Sequence, residues 1–235
     1  MKKKVLLALI ITVMVAGGVF AQLPPIEFSA GLGGTFGAFF SSATLTSDGK
    51  TANKDAGWAK DTGNMRSIGG GFFAYFDATY AMASVGMNFY GTKSQNSSYN
   101  SSDDPKVTLT TLDIELFGKY PFEIGAFTVF PLLGVDFKIA LSQTSKPKEG
   151  DKTKWGDGDG EGSAAGDLTT IWFKLGAGAD IPLPIMDGKL YLRPMITYGI
   201  GTSAKTQKDL VKAEDNFKGF FNHGFDIKIA AGYKF

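Results

Sequence analysis

The chain ends on DIKIAAGYKF, Asp226 to Phe235. Its charges stand at Asp226, Lys228 and Lys234, while Ile227, Ile229, Ala231, Tyr233 and Phe235 occupy the alternate places. A period of two sends successive side chains to opposite faces, so this segment is a strand with one apolar face and one ionic face. The fold depends on which solvent wets the apolar face.

Seven earlier stretches carry the same alternation. They are IEFSAGLGGTFGAFF from Ile26, SIGGGFFAYFDATY from Ser67, MASVGMNFYG from Met82, TLDIELFGKY from Thr111, FTVFPLLGVDFKI from Phe127, IWFKLGAGADI from Ile171 and LYLRPMITYGI from Leu190; the last strand begins at Phe221. Short connections around Tyr80 to Met82, Pro121 to Ala126 and Pro182 to Lys189 alternate with long hydrophilic ones near 44–66, 92–106, 142–167 and 202–220. This spacing predicts eight antiparallel strands in meander order, with tight turns at one end and four long loops at the other.

Two barrels use such a meander, a water-soluble one with its apolar face inside and a transmembrane one with that face in lipid. The polar parity carries Glu27, Asp77, Asp113, Glu115, Asp136, Asp180 and Asp226 together with Lys119, Lys138, Lys174, Arg193, Lys228 and Lys234. The apolar parity of the eight segments carries no Asp, Glu, Lys or Arg. A base facing hydrocarbon near the bilayer midplane costs roughly 2–4 kcal/mol, which enforces such strictness. A soluble sheet tolerates stray charges on either face. The expected fold is therefore an all-β, eight-stranded antiparallel up-and-down transmembrane β-barrel. Its interior is only wide enough for its own side chains or one small ligand. Opposite charges must then pair inside, and Asp113, Glu115, Asp136, Lys138, Lys174, Asp226 and Lys228 form the expected interior ion-pair cluster. Ionisable groups inside a membrane protein also raise the alternative of a selective path.

The first residues, MKKKVLLALIITVMVAGGVFA, place Lys2, Lys3 and Lys4 before an apolar run and end on Val19-Phe20-Ala21. That is the layout of a secretory signal peptide, predicted to be cleaved after residue 21 and to leave one barrel domain over residues 22–235. Without Lys2, Lys3 and Lys4, the chain's 24 bases become 21, against 23 acids. Such balance argues against nucleic acid as a partner. Cysteine is absent, so neither a disulfide nor a lipid-anchoring thiol is expected.

The terminal aromatic behind alternating hydrophobic residues resembles the C-terminal signature of bacterial outer-membrane β-barrels. The likeness extends to the leader, to Tyr80, Tyr120, Tyr198 and Tyr233 as aromatic-girdle candidates, and to the alternation of short turns and long loops. It points to the small eight-stranded family of OmpX, OmpA-barrel and OmpW types. The resemblance implies location in the cell outer membrane, with lipid as a partner. It also implies that the barrel-assembly machinery recognises the last strand through Tyr233 and Phe235. It identifies no activity. The expected role is a non-enzymatic barrel with a largely plugged ionic interior, whose long loops meet an extracellular ligand. The alternative is a narrow conduit for small or hydrophobic solutes, OmpW-like.

Other features are weaker. Trp58 and Trp155, with Tyr99 and Phe217, are candidate loop contacts. WGDGDGEGSAAGD, Trp155 to Asp167, is rich in carboxylates, but it lacks the bidentate twelfth-position Glu of a calcium loop and reads as a solvated segment. No metal and no cofactor is assigned. His223, the single histidine, falls on the lipid parity and reads as an interfacial residue rather than a catalytic one.

Overall fold

In a computed structural model, residues 25–55, 65–94, 106–146, 153–155, 168–213 and 215–235 are described. The leader over residues 1–21 lies outside them. Ten strands form one sheet: β1 (Phe28–Leu45), β2 (Met65–Ala78), β3 (Ala81–Ser94), β4 (Lys106–Lys119), β5 (Phe122–Ile124), β6 (Phe127–Lys146), β7 (Thr153–Trp155), β8 (Thr170–Pro182), β9 (Leu190–Gly201) and β10 (Phe217–Lys234). Among the described residues two α-helices, α1 (Ser47–Asp55) and α2 (Lys205–Ala213), lie in the loops.

Eight strands make the wall. Each pairs antiparallel with its neighbour from β1 through β2, β3, β4, β6, β8 and β9 to β10, and β10 returns to β1, from Ser29 opposite Lys234 to Leu45 opposite Phe217. The sheet is thus a closed up-and-down barrel, which leaves no unpaired edge strand in its wall. Strands β5 and β7 are short additions paired to β6. β5 continues the line of β4 beyond Pro121, whose missing N–H interrupts the ladder.

The faces are inverted relative to a water-soluble barrel. Leu32 is 70 % exposed, Leu133 69 % and Phe173 61 %, whereas Arg193 and Glu115 are 1 % exposed and Asp136 is fully buried. No helix among the described residues is long and apolar enough to cross a membrane; strands cross instead. Aromatic residues gather at both ends of the apolar band. At the turn end Tyr80 meets Tyr120, Tyr120 meets Phe122, and Tyr233 meets Phe235. At the loop end Phe40, Tyr198 and Phe221 surround His223.

Three details differ from the sequence reading. Several strands run further toward the loops than their alternation indicates, so Arg66, Lys93, Lys106 and Lys146 take outward-parity positions there. The charge-free exterior is consequently the central band and not the whole outer face. Glu27 and Lys234 are not interior; they pair with each other at 3.3 Å on the exposed turn-end rim. The long loops also contain helices, which the hydrophilic sequence did not reveal.

Candidate functional site: the stratified barrel interior

Strand β4 shows the layering of the interior in a single line. From loop end to turn end, its inward residues are Val107, Leu109, Thr111, Asp113, Glu115, Phe117 and Lys119. Residues of the other strands fall in at the same levels, and together they make an aromatic cap, an ionic layer, an apolar layer and a second ionic layer.

In the central ionic layer, Lys174 reaches Glu115 at 2.9 Å, Asp136 at 2.8 Å and Asp226 at 2.5 Å. Lys228 bonds the other oxygen of Glu115, which also accepts from Ser84 Oγ at 2.6 Å. Lys138 pairs with Asp113 and lies 3.1 Å from Asp136. Asp113 accepts further bonds from Asn88 Nδ2 (2.8 Å) and Thr111 Oγ1 (2.6 Å). All seven residues singled out from sequence therefore meet in one network. Four carboxyls face three ammonium groups, and Asp136 is the least satisfied of them. It lies within ion-pair distance of two lysines, yet neither of its oxygens has a hydrogen bond of good geometry. Asn88 Oδ1, Tyr90 OH and Thr197 Oγ1 are likewise buried without a hydrogen bond.

The sequence reading placed Asp77, Asp180, Lys119 and Arg193 on the polar face but left them out of the cluster. They form a second network at the turn end. Arg193 grips Asp180 through Nε (2.5 Å) and Nη2 (2.7 Å), a fork-on-fork pair, and donates to Asp77 through Nη1. Lys119 meets Asp77 at 2.6 Å. Two acids meet two bases here, so the layer is electrically balanced. Beside it Tyr75 OH donates to Tyr191 OH (2.7 Å), which donates to Ser29 Oγ (2.8 Å).

Between the ionic layers sit Phe73, Phe117, Phe130, Leu132, Met195 and Ala230. Their rings face charge on both sides: Phe130 lies under Lys119 (4.5 Å) and Arg193 (5.2 Å), and Phe73 under Lys228 (5.1 Å). The cap is Phe39, Tyr90 and Trp172, with Leu109 packed against it, and Lys138 lies 4.5 Å from the Phe39 ring centre. Glycines on the inward parity make room for these groups. A Cβ at Gly201 would stand 2.6 Å from Trp172, and one at Gly232 would stand 2.0 Å from Tyr75 OH. Above the cap, Gln207 of α2 bonds Ser41 Oγ (2.8 Å) and exchanges bonds with Asn222. The helix thereby lies over the mouth at β1 and β10. Sequence reasoning missed Gln207, since one polar residue in a polar loop carries no pattern.

The remaining candidates lie elsewhere. Trp58 and Tyr99 lie outside the described residues, and of Trp155 only the backbone, in β7, is described. Phe217 opens β10 and stacks on Phe220 at 5.7 Å, so it belongs to the wall and not to a loop. Residues 156–167 also lie outside the described residues, among which no cluster of metal-ligating side chains occurs. The terminal Phe235 donates its N–H to Phe28 O at 3.0 Å, extending the β1–β10 seam.

No protein-family model matches the chain, and no curated protein matches it. Solved structures similar in outline include the following three. Neisserial surface protein A is 10 % identical over 88 % of this chain and 97 % of its own, with a TM-score of 0.46. Ail of Yersinia pestis, solved with the heparin analogue sucrose octasulfate, is 10 % identical over 90 % of this chain and 99 % of its own, with a TM-score of 0.38. A major outer membrane protein of Thermus thermophilus is 11 % identical over 86 % of this chain and 99 % of its own, with a TM-score of 0.43. The closed strand ring and its inverted faces, rather than these likenesses, define the architecture: the chain is an eight-stranded β-barrel of the outer-membrane type.

Proposed function

We propose that this barrel is a closed, non-enzymatic outer-membrane protein whose working surface is its loop end. The observation that carries the reading is the interior stratification. A permeating ion would have to break the Lys174 and Arg193 networks, each bonded to several carboxylates, and also pass two apolar layers. Parting a buried charge from its partners costs several kcal/mol. In planar bilayers the refolded protein is expected to give no steady conductance. Steady current that Lys174→Ala or Asp136→Ala alters would instead establish the conduit reading. The one feature on that side is the set of unbonded polar atoms at Asn88, Tyr90, Asp136 and Thr197.

The surroundings of His223 support a non-catalytic role. Its ring stacks on Phe40 (5.3 Å) and Phe221 (5.2 Å), as expected of an interfacial aromatic group. Lipid composition unchanged between cells carrying the native chain and His223→Ala is the expected outcome; a modified lipid that disappears with the substitution would make the barrel an enzyme. The last strand, with Tyr233 and Phe235 outward, serves as the signal for the barrel-assembly machinery, and the loops serve as the contact surface for an extracellular ligand.

A further inference from the structure

Four bases share one outward row at the loop end. Arg66 on β2 is the register partner of Lys93 on β3, and Lys106 on β4 is the partner of Lys146 on β6. Lys93 and Lys106 stand one rung beyond Thr92 and Val107, the last partners of β3 and β4. The row therefore crosses four neighbouring strands without a gap, and Arg66 and Lys146 are exposed. No Asp or Glu takes an outward-parity position in the eight wall strands among the described residues. On the other side, at the same end, β8, β9 and β10 present Ile171, Ile200 and Phe221, and Lys218, exposed at the β1–β10 irregularity, is a single base rather than a row among the described residues.

Like charges placed directly opposite on paired strands repel, because their Cβ atoms are only about 4.5–5.5 Å apart. Two such register pairs are adjacent here, and among the described residues of the wall strands no acid takes a position on the same face. A phosphate relieves both members of a pair at once, because its oxygens accept from two bases and the Arg66 guanidinium offers two parallel donors. The row also has an apolar approach. Toward the turn end, the same face continues into Phe72, Phe89 and Ile114, all exposed. A soluble anion has no use for that surface, whereas acyl chains do.

We propose that Arg66 and Lys146, the exposed ends of this row of basic positions, bind the phosphorylated headgroup of a lipid in the loop-side leaflet, with its acyl chains along Phe72, Phe89 and Ile114. The proposal rests on the membrane reading of the barrel.

The test uses the refolded full chain in phosphatidylcholine vesicles with and without ~10 mol % phosphatidic acid, with retained lipid read by native mass spectrometry. Phosphatidic acid should be enriched on the protein over its bulk share. Arg66→Gln with Lys146→Gln should reduce that enrichment about fivefold per base, the equivalent of ~1 kcal/mol each near an anionic surface. Lys208→Gln on α2 should leave it unchanged. Insertion without enrichment overturns the proposal alone, and a protein that stays in the aqueous phase overturns the membrane reading with it. Displacement of the lipid by inorganic phosphate or by a soluble polyanion at equal charge would also overturn it, by making the row a site for soluble anions. Should the double variant not show a heat-modifiable folded band, the native protein's choice between the two vesicles decides.

Discussion

Lys174 is the residue on which the central network turns. Its ammonium group is shared by Glu115, Asp136 and Asp226, and it is 2 % exposed. Lys174→Ala leaves three carboxylates facing one another without it, and removal of one partner of a buried pair costs about 3–5 kcal/mol. Urea unfolding of the refolded protein in vesicles should show a loss of that size. Lys174→Met combined with Asp226→Asn should recover part of it, because the second change removes a charge that the first strands. A double variant no more stable than Lys174→Ala would mean that Asp226 is paired chiefly elsewhere. Packing makes a parallel point at Gly232, where Gly232→Val drives a side chain into Tyr75 and Tyr191. An overpacked core of this kind typically loses about 1–3 kcal/mol, whereas Gly219→Ala, with nothing within 4 Å of the added Cβ, should change little by the same urea measurement. At this scale the sequence showed which side chains face inward, because parity decides that. It did not show that Lys228 meets Glu115 or that Arg193 meets both Asp77 and Asp180. Those pairings depend on how the strands are staggered around the closed ring, and no local pattern encodes the stagger.

The wall strands were legible because hydrocarbon outside and close packing inside both act on the same period of two. Their loop-side ends were not. Beyond the apolar band the lipid constraint lapses, alternation fades, and backbone pairing alone carries the strands on to Lys93, Lys106 and Lys146. The same lapse hides α2, whose KTQKDLVKA offers only Leu210, Val211 and Ala213 as apolar positions in nine residues; its place is set by Gln207 bonding to Ser41 and Asn222. The last strand has separable contributions. Most of the β1–β10 ladder lies before Phe235, which adds one backbone bond to Phe28 and a ring against Tyr233. Deletion of Phe235 should therefore leave refolding into vesicles nearly intact, losing about 1 kcal/mol for the hydrogen bond. If the terminal aromatic is also the assembly signal, the same deletion should sharply lower the folded, heat-modifiable fraction in cell envelopes. Equal yields in cells would remove that role from Phe235.

For the molecule as a whole, the central quantity is the solvent outside the sheet. Burial alone cannot distinguish a barrel in water from one in lipid, but the location of charge does. Six acids and five bases, Asp77, Asp113, Glu115, Asp136, Asp180 and Asp226 with Lys119, Lys138, Lys174, Arg193 and Lys228, are enclosed, while Phe72, Phe173 and Leu175 are each about 60 % exposed. In water that arrangement would leave a large apolar surface uncovered, which at roughly 25 cal/mol per Å2 is strongly unfavourable, while ionic groups stayed desolvated inside. In a bilayer the first term vanishes, because hydrocarbon covers the outer face, while the interior charges stay desolvated and are held by their pairing. The chain has three tryptophans, two in loop sequences and Trp172 inside the cap, which makes the orientation measurable. With Trp58→Phe and Trp155→Phe, the fluorescence of Trp172 should resist quenching by lipids brominated in mid-chain. With Trp172→Phe added and Phe72→Trp introduced, the single new indole should be quenched strongly. Reversal of the two results would place Trp172 against the acyl chains and position 72 inside, and would overturn the assignment of the two faces.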